Sequence, residues 1–210
     1  MKTKKDINIL DIIIAFVKGI KESGDACFLY DDKNRLWKAN YLLGQILRLY
    51  EIEESSHKFL SIKAKNVWEL LTDEDIKNYY YNKKVIVKKD VNLTLGTYKG
   101  ASTKPTEKEF VKGSTFKYRE IFHDEHVIPI GNIIDKLTGL KEDELTYENV
   151  QKILDNIYVC RILKSENAEL NKVAKTKRPW EVIETIEEIY IKGAKIEIDN
   201  WQEKKENLKK

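Results

Sequence analysis

Apolar residues recur along this chain at two spacings. Over residues 5–22, Ile9, Ile12, Ile13, Phe16, Val17 and Ile20 fall on one face of a helix, and Gly24 is a natural stop. A second helix is expected over 39–52, with Leu42, Leu43, Ile46, Leu47 and Tyr50 on one side. A third is expected over 66–81, where Thr72-Asp73-Glu74-Asp75 fits an internal cap and restart. Tyr79, Tyr80 and Tyr81 read as core, with a base-stacking platform as the alternative.

The period then shortens. Residues 84–88 and 91–95 alternate in the manner of strands. A loop carrying Gly96, Gly100, Pro105 and Gly113 follows, and 115–130 reads as strand up to Pro129 and Gly131. Helical spacing returns at 133–137 and 146–157, the latter opened by Thr146. Residues 158–163 read as a short strand. Ser165 is expected to cap a helix running to about 175, which Arg178-Pro179 ends. A last helix is expected over 180–190, with a frayed tail from 203. The order of elements predicts an α+β fold. An N-terminal helical part, 1–82, would pack on a C-terminal part, 83–210.

Composition narrows the class. In 210 residues, 41% apolar content allows a packed core, and 35% charged content implies an extensive solvated surface. The net charge of +3 excludes a uniform polycation, so any nucleic-acid site must come from local segregation. Such segregation exists. Residues 82–119 hold ten Lys or Arg against three acids (+7), and 161–178 hold six against two (+4). Residues 135–155 balance to three Lys against six acids (−3), and 181–199 to two against six (−4). If the two basic stretches meet in space they form a phosphate-attracting surface; the plainer reading is solvated loops. The first apolar run, Ile7 to Ile20, is broken by Asn8, Asp11 and Lys18. It suits neither a signal peptide nor a membrane span. Cys27 and Cys160 are far apart and no Cys-x-x-Cys pair exists, so a reducing cytoplasm with free thiols is expected and a cysteine-based zinc knuckle is excluded.

Chemistry concentrates in Phe122-His123-Asp124-Glu125-His126-Val127-Ile128-Pro129-Ile130. Two carboxylates and an imidazole precede an aliphatic pair and a proline. Phosphodiester hydrolysis needs a base for water and a divalent cation for the scissile phosphate, and a histidine beside a carboxylate supplies groups for both. Along a regular strand Asp124 and His126 point one way and Glu125 the other, so either carboxylate remains a candidate ligand.

This segment resembles the first half of the HNH (ββα-metal, or His-Me finger) nuclease motif, in which Asp-His or Glu-His is followed by two aliphatics and Pro. The wider stretch from Tyr118 to His126 is similar to restriction- and phage-type members. The resemblance implies a β-hairpin and a helix gripping one divalent metal, Mg²⁺ or another. His126 would be the general base, and Glu125, or Asp124, a ligand. The family's third histidine and its hairpin cysteines are absent. For the helix ligand, one solution takes 158–163 as the second strand and Asn171, with Asn167 one turn before it, as the motif asparagine, leaving 131–157 as a helical insertion. The rival solution takes Asn149. The resemblance covers about residues 115–180. It implies a divalent-metal-dependent DNA endonuclease, of the type II restriction kind, and a homodimer for a palindromic target. Arg119, Arg161, Lys175, Lys177 and Arg178 are the candidate phosphate contacts. The alternative is a nucleic-acid-binding protein without catalysis, in which His126 is structural. RNA is the alternative substrate. His123 reads as structural or substrate-facing, His57 as solvent-exposed, and Trp180 as a core anchor.

Overall fold

The computed structural model describes residues 8–23, 41–48, 58–71, 84–95, 106–174 and 177–209. Among these the fold is mixed α+β, with short sheets and a majority of helix. They fall into two compact units that do not follow a single cut in the chain. The first lies within Met1–Ser56 and Ile128–Ile157, the second within His57–Val127 and Tyr158–Lys210. A boundary near residue 82 would lie outside the described residues.

The first unit is helical. Helix α1 (Ile9–Glu22) starts where the Asn8 side chain accepts from the Leu10 amide at 3.0 Å, satisfying a donor that the first turn leaves unpaired. Its apolar stripe buries Ile13, Ile14 and Val17. Helix α2 covers 41–48 and buries Leu43 and Leu47. Helix α5 (Ile130–Gly139) follows Pro129 directly and buries Ile130, Ile133, Ile134 and Leu137. Proline there suits a helix start, because its missing N–H is one the first turn could not use. Helix α6 (Tyr147–Leu154) is capped by Thr146, whose hydroxyl accepts from Asn149 N at 3.3 Å, and it buries Val150, Ile153 and Leu154. Helices α1, α5 and α6 pack on one another, and Lys21 ties α1 to the end of α5 by donating to the Thr138 carbonyl at 2.8 Å.

The second unit holds a three-stranded sheet in the order β1-β7-β6. Strand β1 (Lys58–Leu60) runs parallel to β7 (Val159–Leu163), and β6 (Phe122–His126) runs antiparallel to it. The β6–β7 register sets Asp124 opposite Arg161, Glu125 opposite Cys160 and His126 opposite Val159. Two ribbons lie in sequence between β1 and β6: β2 (Lys84–Ile86) with β5 (Thr115–Lys117), and β3 (Val91–Leu95) with β4 (Thr106–Phe110). A cluster of Ala64, Leu71, Val85, Val87, Ile121 and Phe122 forms the apolar centre beneath helix α3 (Ile62–Trp68).

Several sequence expectations change here. The loop expected from Gly96 to Gly113 contains strand β4, and the helix expected over 66–81 lies instead at α3, ending before Leu71 bridges to Val87, with 72–81 outside the described residues. The strand expected over 115–130 is interrupted by a helical turn, α4 (Tyr118–Ile121), because the Glu120 carboxylate accepts from the Lys117 amide at 3.2 Å and closes that turn. Helix α7 (Lys164–Val173) starts one residue before Ser165. Its first turn is closed by Glu166, whose carboxylate accepts from Leu163 N at 2.8 Å, so Ser165 is not the cap. The helix expected over 180–190 begins as α8 (Val182–Glu184) and widens into a π-helical stretch, Thr185–Gly193. The tail read as frayed forms helix α9 (Trp201–Leu208), anchored by the buried Trp201 ring against Phe59. Tyr79–Tyr81, Cys27 and His57 lie outside the described residues. Among the described residues no helix is long and apolar enough to cross a membrane.

Candidate functional site

The segment singled out in the sequence is strand β6, and the alternation of its side chains divides its chemistry between two faces. On one face lie His123 and Glu125. The Glu125 carboxylate is held at both oxygens: Arg178 Nη2 donates to Oε1 at 2.6 Å, and His123 Nε2 lies 2.8 Å from Oε2. The other ring nitrogen of His123 is 3.5 Å from the ammonium of Lys164, the first residue of α7. The two contacts together fit the tautomer in which Nε2 donates to the carboxylate and Nδ1 accepts from Lys164. Burial works to raise the Glu125 carboxyl, but the hydrogen bond from His123 and the charge of Arg178 outweigh it and hold the group below the usual carboxylate range.

Arg178 is the hub of this face. Its side chain is 0% exposed. Nη1 donates to the carbonyls of His126 at 2.7 Å and Val127 at 3.3 Å, and lies 3.4 Å from the Tyr190 hydroxyl. Nε donates to the Ala174 carbonyl at 3.2 Å. The sequence placed Arg178 among the phosphate contacts. The structure instead buries its guanidinium inside the protein, where it joins the end of α7 to the end of β6.

On the opposite face Asp124 meets its cross-strand neighbour Arg161. Arg161 Nε donates to Asp124 Oδ1 at 3.1 Å, and the Tyr118 hydroxyl donates to the same oxygen at 2.7 Å. The guanidinium stacks over Trp68, 4.4 Å from the ring centroid, with Tyr118 at 5.3 Å. Burial, and next the charge of Asp124, push the Tyr118 phenol well above its ordinary range, so it stays a donor. Arg161 too is engaged within the protein, with a side chain only 17% exposed. His126 ends β6, partly exposed, and by strand alternation belongs to the Asp124 face.

Of the remaining candidates, Asn167 is buried on α7 and Asn171 is partly buried one turn later, on the same helix face. Asn149 belongs to the other compact unit, where its side chain donates to the Glu144 carbonyl at 2.9 Å. Lys177 is exposed, Arg119 is partly buried on α4, and Lys175 lies outside the described residues. Burial and then the charge of Arg119 hold the Lys164 ammonium below its usual range, which places a residue of each basic segment within electrostatic reach of the other. The acidic segment 181–199 packs its buried Ile186 and Tyr190 inward, against α7, and pairs Glu187 with Lys205 and Glu188 with Lys192.

The sequence missed the buried pair Ser61–Glu166. The Ser61 hydroxyl donates to Glu166 Oε2 at 2.6 Å and accepts from Ala64 N at 3.0 Å. It therefore caps α3 while satisfying the carboxylate that starts α7. Burial raises the Glu166 carboxyl above its ordinary range. Ser61 before a helical run is an N-cap type of residue, but its partner Glu166 lies 105 positions away.

Among the described residues no three or more His, Cys, Asp and Glu side chains converge as a metal centre. A hard cation such as Mg²⁺ keeps several waters and takes one or two protein oxygens. Glu125 fits that role: it is ionised, and a carboxylate has about four lone-pair positions, of which Arg178 and His123 engage two. Comparisons with protein-family models, with curated proteins and with solved structures returned no match, so the geometry of β6, β7 and α7 carries the functional argument alone.

Proposed function

We propose that this chain is a divalent-metal-dependent endonuclease acting on DNA, with β6, β7 and α7 as an HNH-type (ββα-metal) core. The observation that carries the reading is the order and pairing of these elements. The strand bearing Glu125-His126 pairs antiparallel with β7, and β7 runs straight into a helix that presents Asn167 and Asn171. Helices α5 and α6 occupy the connection between the two strands. Local charge adds support: Lys164 lies beside His123 on the Glu125 face, with Arg119 within electrostatic reach of it. Cations so placed attract phosphates.

In this reading Glu125 or Asp124, with an α7 asparagine, Asn167 or Asn171, holds the cation; Tyr118 and Arg161 engage one oxygen of Asp124, and Arg178 and His123 one lone pair on each oxygen of Glu125. The bound cation would polarise the scissile phosphate and stabilise the charge that develops on it. An imidazole nitrogen of His126 takes the proton of the attacking water. Loss of a positioned general base costs about 10²–10⁴ in rate. Lys177, with Lys175 and Arg119, remains to contact backbone phosphates, whereas Arg161 and Arg178 act inside the protein. Sequence-specific cleavage of the restriction type, a homodimer on palindromic DNA and a cytoplasmic site of action belong to the same proposal.

The test is nicking of supercoiled plasmid by the purified chain. Cleavage that requires Mg²⁺ and stops with EDTA is expected. The protein partners that Glu125 already has at each oxygen favour the rival reading, a DNA-binding protein without catalysis; salt-dependent binding with no cleavage under any divalent cation would establish that rival instead.

A further inference from the structure

We infer that Arg178 is the positioning residue of this site: it sets the Glu125 carboxylate and the backbone at His126 in one fixed relation. The inference rests on the nuclease reading for its kinetic consequence, and on geometry for its substance. One buried guanidinium reaches the Glu125 carboxylate at 2.6 Å and the His126 carbonyl at 2.7 Å. Strand alternation sends these two neighbouring side chains to opposite faces, and His126 is the last residue that the strand pairing holds. The chain leaves β6 there, and after Val127 it leaves this unit altogether. A strand end of that kind is held by whatever ties it down. Here Val127 N donates to the Tyr158 carbonyl at 2.8 Å, and Arg178 takes the carbonyls of His126 and Val127.

The anchor of Arg178 is equally defined. Its Nε donates to the Ala174 carbonyl at the end of α7, and its Nη1 meets the Tyr190 hydroxyl of the π-helical stretch. Its guanidinium carbon lies 5.7 Å from the centre of the Tyr190 ring. A planar guanidinium offers donors in a rigid fork, which lets one residue meet a carboxylate and a carbonyl at set angles. Lysine carries the same charge but cannot reproduce that fork, so the position requires arginine. The segment that brings Arg178 here is the one that follows α7. Arg178 thus links the end of the helix offering Asn167 to the end of the strand offering Glu125 and His126.

The experiment compares Arg178→Lys with Ile196→Val, a conservative change at a buried residue of the same unit. Folding is checked by thermal melts. Single-turnover cleavage and DNA affinity are measured on each, and the His126 imidazole and the Val127 amide are followed by NMR in the metal-free protein. Arg178→Lys should cut the cleavage rate about 10–100-fold, as loss of a ligand-orienting partner does. DNA affinity should hold, and both NMR signals should move. Ile196→Val should leave rate and signals as in the wild type. Arg178→Gly in millimolar guanidinium should regain part of the rate, because the small cation can enter the vacated position. Wild-type rate and unchanged signals in folded Arg178→Lys would overturn the inference, as would a loss of affinity with the rate preserved. If the wild type itself fails to cleave, the nuclease reading falls, and the NMR signals alone decide whether Arg178 positions this strand end.

Discussion

Each charged side chain of β6 that a sequence reading picks out has a partner, and the partners sort the candidates. Asp124 and Glu125 are chemically alike and adjacent, yet one faces Arg161 and Tyr118 and the other Arg178 and His123. Arg161 carries a consequence for stability. Replacing it with methionine removes a donor from a carboxylate that is only 17% exposed and empties the space over Trp68. Breaking a fully buried pair costs about 3–5 kcal/mol, and residual exposure should bring this one to roughly 1–3 kcal/mol. Urea unfolding of Arg161→Met should show that loss with little dependence on salt. If the loss is nil, or vanishes in 1 M NaCl, Arg161 is an ordinary surface charge. The residue types of this site were legible in the sequence; their use was not. Arg161 and Arg178 look like phosphate contacts in a basic segment, and only the register of β7 and the fold-back after α7 show that both are internal.

At the scale of elements, legibility followed length and locality. Helices α1, α5 and α6 were readable because their buried residues recur within a few positions, and β7 because a short apolar run sits between helical stretches. Strand β1 was not readable: it has three residues, and its partner in the parallel pair lies a hundred positions on. The turn α4 was hidden because Tyr118-Arg119-Glu120 alternates as a strand would, while a single carboxylate–amide bond decides the matter. The Ser61–Glu166 contact shows the same dependence on distant partners, and it can be tested. Ser61→Ala removes the cap of α3 and one donor to a buried carboxylate. A lost cap costs about 0.5–2 kcal/mol, and leaving the carboxylate less satisfied adds to it, so a loss of roughly 2 kcal/mol is expected. Ser61→Thr should retain most of the stability. A thermal melt of Ser61→Ala matching the wild type would show that the contact contributes nothing.

At the scale of the molecule, a net charge of +3 makes the distribution of charge the deciding quantity. The second basic stretch is less available than its composition suggests, since two of its residues, Arg161 and Arg178, are engaged inside the protein. Lys177, exposed beside the buried Arg178, becomes an informative one. Lys177→Ala should weaken binding to all DNA sequences alike and reduce the slope of log affinity against log salt by about 0.9 if it contacts one phosphate. An unchanged slope would remove Lys177 from the contact surface. The division into compact units was beyond the reach of a linear reading, because one unit takes α5 and α6 from the connection between β6 and β7.

The central claim is that His126 is the base of a nuclease site, and single-turnover cleavage by the wild type and His126→Ala, with DNA affinity measured in parallel, bears on it without intermediaries. Wild-type protein should cleave in Mg²⁺. His126→Ala should keep its melting temperature and its affinity while its rate falls about 10²–10⁴-fold. A folded His126→Ala protein that cleaves at the wild-type rate would contradict the assignment.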